Sequence, residues 1–100
     1  MSMNERDFRA SLSQAEPATE LSPELRALWF DARGDWNRAH GEVEDGATAA
    51  ACQVHGYLHR KQGEIGNAAY WYRRAAVAPA TGPLDAEWTT LLQEMLNGRS

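Results

Sequence analysis

The sequence is poor in the features that mark secreted and membrane-spanning proteins. It contains a single cysteine, Cys52, which excludes an intramolecular disulfide and is typical of a reducing compartment. No apolar run approaches the roughly 18 residues needed to cross a bilayer. The amino terminus also lacks the apolar stretch of a signal peptide. We therefore expect a cytoplasmic protein that has no membrane partner.

An excess of positive charge is also absent, since the net charge is −4 at pH 7. Proteins that bind the phosphate backbone need a basic surface, so we predict no nucleic-acid partner. A local basic cluster remains and favours an acidic ligand or peptide. It consists of Arg60, Lys61, Arg73 and Arg74.

The chain of 100 residues has the length of one domain. Hydrophobic residues make up 43% of it and charged residues 24%, which is ordinary for a globular protein. Residues 1–21 are mostly polar, and they predict a flexible segment with an optional short helix around Phe8, at residues 4–12. Residues 22–97 predict a helical domain, and residues 98–100 predict a tail.

Two turn glycines organise the helical domain. Gly34 and Gly63 lie 29 residues apart, and each is followed by an acid and then by an alanine five residues after the glycine. Glycine readily adopts the left-handed conformation that ends a helix, so each predicts a tight turn between two helices. We expect helices at about residues 22–33, 35–44, 47–62, 65–78 and 84–97, with Pro79 stopping the fourth.

The second helical pair resembles a known repeat. Relative to its turn glycine, it carries small and aromatic residues where tetratricopeptide repeats carry them, at Gly56, Gly63, Ala68, Tyr72 and Ala75. Residues 22–96 resemble a short, divergent tetratricopeptide or Sel1-like protein, and residues 55–74 resemble small uncharacterised bacterial proteins. The resemblance implies an all-α fold of two stacked helical hairpins plus a carboxyl-terminal capping helix. It also implies recognition of peptides or proteins rather than chemistry.

One helix face departs from the repeat pattern. Cys52, His55 and His59 lie at i, i+3 and i+7, so this face presents a thiol and two imidazoles. The histidine spacing occurs in zinc sites, but we expect His40 to lie on a distant helix. We therefore expect core packing with hydrogen-bonded imidazoles, and we predict no metal site and no cofactor. The alternative is a pocket for a polar ligand or a metal, lined by His55, His59, Tyr72 and Arg73.

A cysteine beside a histidine can form a reactive thiolate. No orienting third group or oxyanion-hole element accompanies Cys52 in the sequence, and a cysteine among alanines in a helix is usually a small buried residue. We predict that the protein is not an enzyme.

Two surfaces of the second hairpin are candidates for binding a partner. Asn67, Trp71 and Arg74 form a row at i, i+4 and i+7, and an aromatic ring beside arginines suits protein recognition. The alternative is that Trp71 packs under the amino-terminal segment. The family resemblance implies an inner groove lined by Gln53, Tyr57, Arg60 and Lys61. An arginine there suits a carboxylate, although a basic pair at a helix end also complements the helix dipole.

These patterns predict a small, non-enzymatic protein-interaction or scaffold module whose partner is a protein or peptide, in particular an acidic one. The alternative function is a small polar-ligand or metal-binding protein that uses the second hairpin. A third interpretation is a homodimer closed by the exposed aromatic face, because two hairpins alone bury little surface.

Overall fold

A computed structural model describes residues 3–98 of the protein. This range is helical throughout apart from turns and loops, and it contains no strand, which confirms the predicted all-α class for the described residues. Residues 99–100, most of the predicted tail, lie outside the described range, as do residues 1–2. The helices are α1 (Glu5–Ser11), α2 (Pro23–Ala32), α3 (Trp36–Val43), α4 (Ala49–Lys61), α5 (Ile65–Arg74) and α6 (Leu84–Leu96). None of these helices is both long and apolar enough to cross a membrane.

Side-chain caps determine where the helices begin. The hydroxyl of Ser22 accepts a hydrogen bond from the backbone amide three residues on, and Pro23 occupies the first position of α2, two signals that the sequence itself carries. Helix α4 begins later than the predicted Ala47. The reason is that Thr48 caps it, accepting from the backbone amide of Ala51 at 3.1 Å.

The two turn glycines adopt the same conformation. Gly34 has a φ of 79° and Gly63 a φ of 78°, the left-handed region that the sequence predicts for both. After each glycine, the next backbone amide donates to the carbonyl five residues earlier, at 2.9 Å after Gly34 and 3.0 Å after Gly63. The chain therefore leaves α2 and α4 by the same type of helix cap.

The helices on either side of each glycine pack against each other, α2 on α3 and α4 on α5. Residues 29 positions apart are buried in both pairs, as Ala39 and Ala68 and as Val43 and Tyr72. Gly56 lets α4 and α5 approach closely. A Cβ atom at this position would lie 3.1 Å from the Tyr72 ring and 3.3 Å from the Ala68 carbonyl oxygen.

Helix α5 ends at Arg74, earlier than the predicted end near Ala78. Ala76 has a φ of 61°, and the amide of Val77 donates to the carbonyl of Tyr72 at 3.1 Å. An alanine thus makes the left-handed stop that glycine usually makes. The sequence gives little sign of this stop, because neither glycine nor proline occupies the position.

Helix α6 packs on α2 and α4, and α1 packs on α6. The short helix expected near the amino terminus is present, and its Phe8 is fully buried 6.2 Å from the Trp88 ring, centroid to centroid. The indole of Trp29 donates to the hydroxyl of Ser11 at 3.1 Å, which fixes the end of α1 to α2. Helix α6 buries Trp88, Leu91 and Leu92.

Candidate metal centre

All three histidines of the chain meet between α3 and α4. Nε2 of His40 lies 3.1 Å from Nε2 of His55. One ring nitrogen from each of His40, His55 and His59 lies within 4.8 Å of the others. The expectation that His40 is distant is wrong, because α3 packs directly on α4. The prediction of no metal site depended in part on that expectation.

The histidine cluster, His40, His55 and His59, is positioned by ordinary helix geometry. His55 and His59 are one turn apart on α4, so their rings stack with centroids 4.8 Å apart. His40 lies on α3 next to the fully buried Ala39, and its ring reaches across to both. The close packing of α3 on α4 therefore adds a third imidazole to a pair that the sequence already places together.

One carboxylate orients the His59 ring, and a second lies near the His40 ring. Nδ1 of His59 lies 2.8 Å from Oε1 of Glu64, the residue that follows the turn glycine. Nδ1 of His40 lies 3.5 Å from Oε2 of Glu44, one turn further along the chain. A proton held on Nδ1 by a carboxylate leaves the Nε2 lone pair free, which is how metal-binding histidines are commonly oriented.

Two tryptophans enclose the cluster. The ring of Trp36 stacks on His40 with centroids 4.9 Å apart, and that of Trp71 stacks on His55 at 3.8 Å. The indole nitrogen of Trp36 donates to the carbonyl of Leu58 at 2.8 Å, which fixes the Trp36 ring. These contacts restrict rotation of both imidazoles.

His55 is the most buried histidine, with 4% of its surface exposed. Burial, followed by the positive charges of His40, His59 and Arg74, lowers the pKa of His55 to about 4. The ring is therefore neutral at pH 7. Its Nδ1 atom is buried without any hydrogen-bond partner, which costs on the order of 1–3 kcal/mol for a polar atom removed from water.

The donor set suits a divalent transition-metal ion. Neutral imidazoles bind Zn²⁺, Cu²⁺, Ni²⁺ and Co²⁺. Nitrogen–metal bonds of about 2.0–2.1 Å in tetrahedral geometry place two nitrogens about 3.3 Å apart, close to the separation of the His40 and His55 nitrogens. Cys52, the thiol on the same face of α4, is buried and is not part of the cluster.

The structure uses most of the predicted groove residues internally. The Tyr57 hydroxyl donates to Asp31 at 2.6 Å, and Lys61 bonds the other oxygen of that carboxylate at 2.8 Å. Arg60 and the hydroxyl of Tyr72 bond the buried Glu87 of α6 in the same way. The groove implied by the family resemblance would display Tyr57, but only 2% of its surface is exposed.

The remaining predicted site residues are dispersed around the second hairpin. Gln53 is half-buried and lines a shallow depression that also contacts Tyr72. Asn67 and Arg73 are exposed, and the guanidinium of Arg74 lies 5.1 Å from the centroid of Trp71. Tyr72 and Arg73 of the predicted ligand pocket therefore lie apart from its two histidines. His55 and His59 lie together, and His40 joins them.

Several side chains at the histidine cluster and at the predicted groove were not identified from the sequence. Trp36, His40 and Glu44 recur every four residues along α3, a spacing that could have indicated one functional face. Glu64 follows a turn glycine, and nothing in the sequence links it to His59. Asp31 was missed because its partners, Tyr57 and Lys61, lie on another helix.

Comparison of the chain with protein-family models, with curated proteins and with solved structures finds no match.

Proposed function

We propose that this protein binds a divalent transition-metal ion through His40, His55 and His59. The observation that carries the proposal is the convergence of three imidazoles from two helices, with one ring nitrogen of each within 4.8 Å of the others and those of His40 and His55 at 3.1 Å. The carboxylate of Glu64 supports it, because its 2.8 Å contact with Nδ1 of His59 holds a proton on the nitrogen that faces away from the ion.

A structural histidine pair is the competing explanation of the 3.1 Å contact between His40 and His55, since two neutral imidazoles can share a hydrogen bond. That explanation does not require a third ring. Nδ1 of the buried His55 has no hydrogen-bond partner under either explanation, so it does not separate them. The metal proposal accounts for the third ring, that of His59, and for the Glu64 carboxylate that is hydrogen-bonded to it.

The donor set favours some ions over others. Three imidazoles without a thiolate bind Cu²⁺ more tightly than Zn²⁺, Ni²⁺ or Co²⁺, as the general order of stability of divalent ions requires. Hard ions such as Mg²⁺ and Ca²⁺ prefer oxygen ligands and are expected to bind poorly here. Zn²⁺ and Co²⁺, which belong to the favoured set, serve as probes, and Mg²⁺ serves as the negative control.

The test is a calorimetric titration of the chelator-treated protein with ZnCl₂. We expect one ion per chain and a rise in melting temperature, because an ion that binds the folded state stabilises it. His40→Gln should abolish both effects. The His40 side chain is partly exposed, so this variant is expected to fold, and circular dichroism checks that it does.

Cys52→Ala is the matched control. It removes the thiol on the same face of α4 and should leave zinc affinity unchanged. A folded wild-type protein that takes up no zinc, or a His40→Gln variant that binds zinc as tightly as wild type, contradicts the proposal.

A second candidate is the protein-interaction module, with two stacked tetratricopeptide or Sel1-like hairpins and α6 as cap. Support for this arrangement comes from the matching turns at Gly34 and Gly63. Support for a partner comes from α5, where Ile65 is 63% exposed and Tyr70 is 44% exposed.

Sedimentation velocity of wild type and Ile65→Ser tests the homodimer. Dimers in wild type alone would support the α5 interface, and monomers at every concentration would exclude it.

A further inference from the structure

The histidine cluster supplies three donors, fewer than the ions named above require. Zinc and its neighbours take at least four ligands, and sites with three protein ligands complete the set with water or an exogenous ligand. Among the described residues, the group of metal-ligating side chains contains the three histidines and no fourth member. Glu44 and Glu64 contact the Nδ1 side of their histidines, away from the free Nε2 lone pairs.

The cluster is open to solvent on one side. The side chain of His40 is 24% exposed, whereas that of His59 is 10% exposed and His55 is almost completely buried. An ion at the cluster would therefore have α4 on its buried side and the partly exposed His40 on the other. Stacking of Trp36 on His40 and of Trp71 on His55 holds both rings in place, so the protein is not expected to collapse over the open position.

The charge at the site favours a negative ligand. A divalent ion with three neutral imidazoles keeps its full charge of about +2. The guanidinium of Arg74 adds to it, since it lies against the Trp71 ring that stacks on His55. The opposing carboxylates of Glu44 and Glu64 are about half-exposed, at 50% and 52%, and water screens exposed charges strongly.

We propose that the ion held by His40, His55 and His59 keeps a coordination position for an exchangeable small anion, with Arg74 strengthening its binding. This inference rests on the proposed function. It names the ligand class as small anions with an oxygen or nitrogen donor, such as hydroxide or a carboxylate. A closed structural site, in contrast, would not exchange its fourth ligand.

The test uses Co²⁺ as the bound ion and azide as the probe anion. The visible absorption of Co²⁺ depends on its ligands. Appearance of the bands therefore tests the metal site, and their response to azide tests the exchangeable position. We expect one equivalent of Co²⁺ to give visible bands that His40→Gln lacks. Azide should then shift these bands in a saturable manner. Acetate, as a carboxylate probe, should compete with azide.

Arg74→Gln should weaken azide binding several-fold while cobalt still binds. Arg6→Gln, which removes the same charge from the exposed face of α1, should not change azide binding. Bands that form but do not respond to azide would overturn the exchangeable position and leave the metal site standing. A cobalt-dependent dimer in sedimentation would also overturn it, since a second copy would then supply the fourth ligand. Failure to bind cobalt would remove the proposed function itself.

Discussion

At the scale of single residues, Ala76 carries the backbone strain of the turn that ends α5. Its φ of 61° lies in the left-handed region, where a Cβ atom costs about 1–2 kcal/mol. The residue is exposed and serves only to end α5. The Cβ methyl group of Ala76 can therefore be removed without opening a cavity in the core.

We expect Ala76→Gly to stabilise the protein by about 1 kcal/mol, because glycine adopts this conformation without steric cost. Urea unfolding monitored by circular dichroism measures the change. Ala78→Gly, at an exposed position with no positive φ, is the control and should be neutral or slightly destabilising. Equal effects of the two substitutions would show that Ala76 is not strained.

At the scale of helices, the second hairpin depends on a close contact between α4 and α5. Ala68 is buried against Gly56, and the ring of Tyr72 covers the same glycine. A larger side chain at either small position would have to separate the two helices. The same helices carry His55 and Trp71, so this contact also fixes the stacking beside the histidine cluster.

Ala68→Leu should destabilise the protein by roughly 1–3 kcal/mol, because it overfills this contact. Ala69→Leu adds the same volume at the adjacent, half-buried position and should cost much less. Thermal unfolding of the two variants gives the comparison. A neutral Ala68→Leu would mean that α4 and α5 are not tightly packed.

Much of the helix layout was predictable because its signals are local. Ser22 with Pro23 marks the start of α2, and Gly34 and Gly63 mark turns whose conformation depends on their own missing side chains. The end of α5 was not predictable, since Ala76 adopts a conformation that alanine normally avoids. His55 and His59 were predictable as neighbours from their spacing. His40 was not, because its position depends on how α3 packs against α4.

At the scale of the whole molecule, two buried carboxylates connect the helices. Asp31 on α2 binds Tyr57 and Lys61 of α4. Glu87 on α6 binds Arg60 of α4 and, at 2.5 Å, Tyr72 of α5. Burial raises the pKa of Tyr57 and of Tyr72, and the hydrogen bonds to Asp31 and Glu87 raise them further.

These shifts predict a loss of stability in alkali. Both tyrosine pKa values are higher in the folded protein than in the unfolded chain, so above about pH 10 the unfolded chain loses protons that the folded protein keeps. The stabilisation is complete below that pH and falls as the pH rises. The melting temperature, measured from about pH 8 to about pH 11, should therefore decline less steeply in the double variant Tyr57→Phe, Tyr72→Phe than in wild type. Parallel profiles would contradict this assignment.

The packing of α1 on α6 has a consequence for the order of folding. Arg9 bonds Thr89 across 80 residues of chain, and Phe8 meets Trp88 over a similar separation. Bringing distant segments together costs loop-closure entropy, whereas the contact of α4 with α5 closes a loop of a few residues. A ribosome adding residues in order delivers α6 last among these helices. During synthesis, the Phe8 ring therefore lacks its contact with Trp88 until α6 has been made.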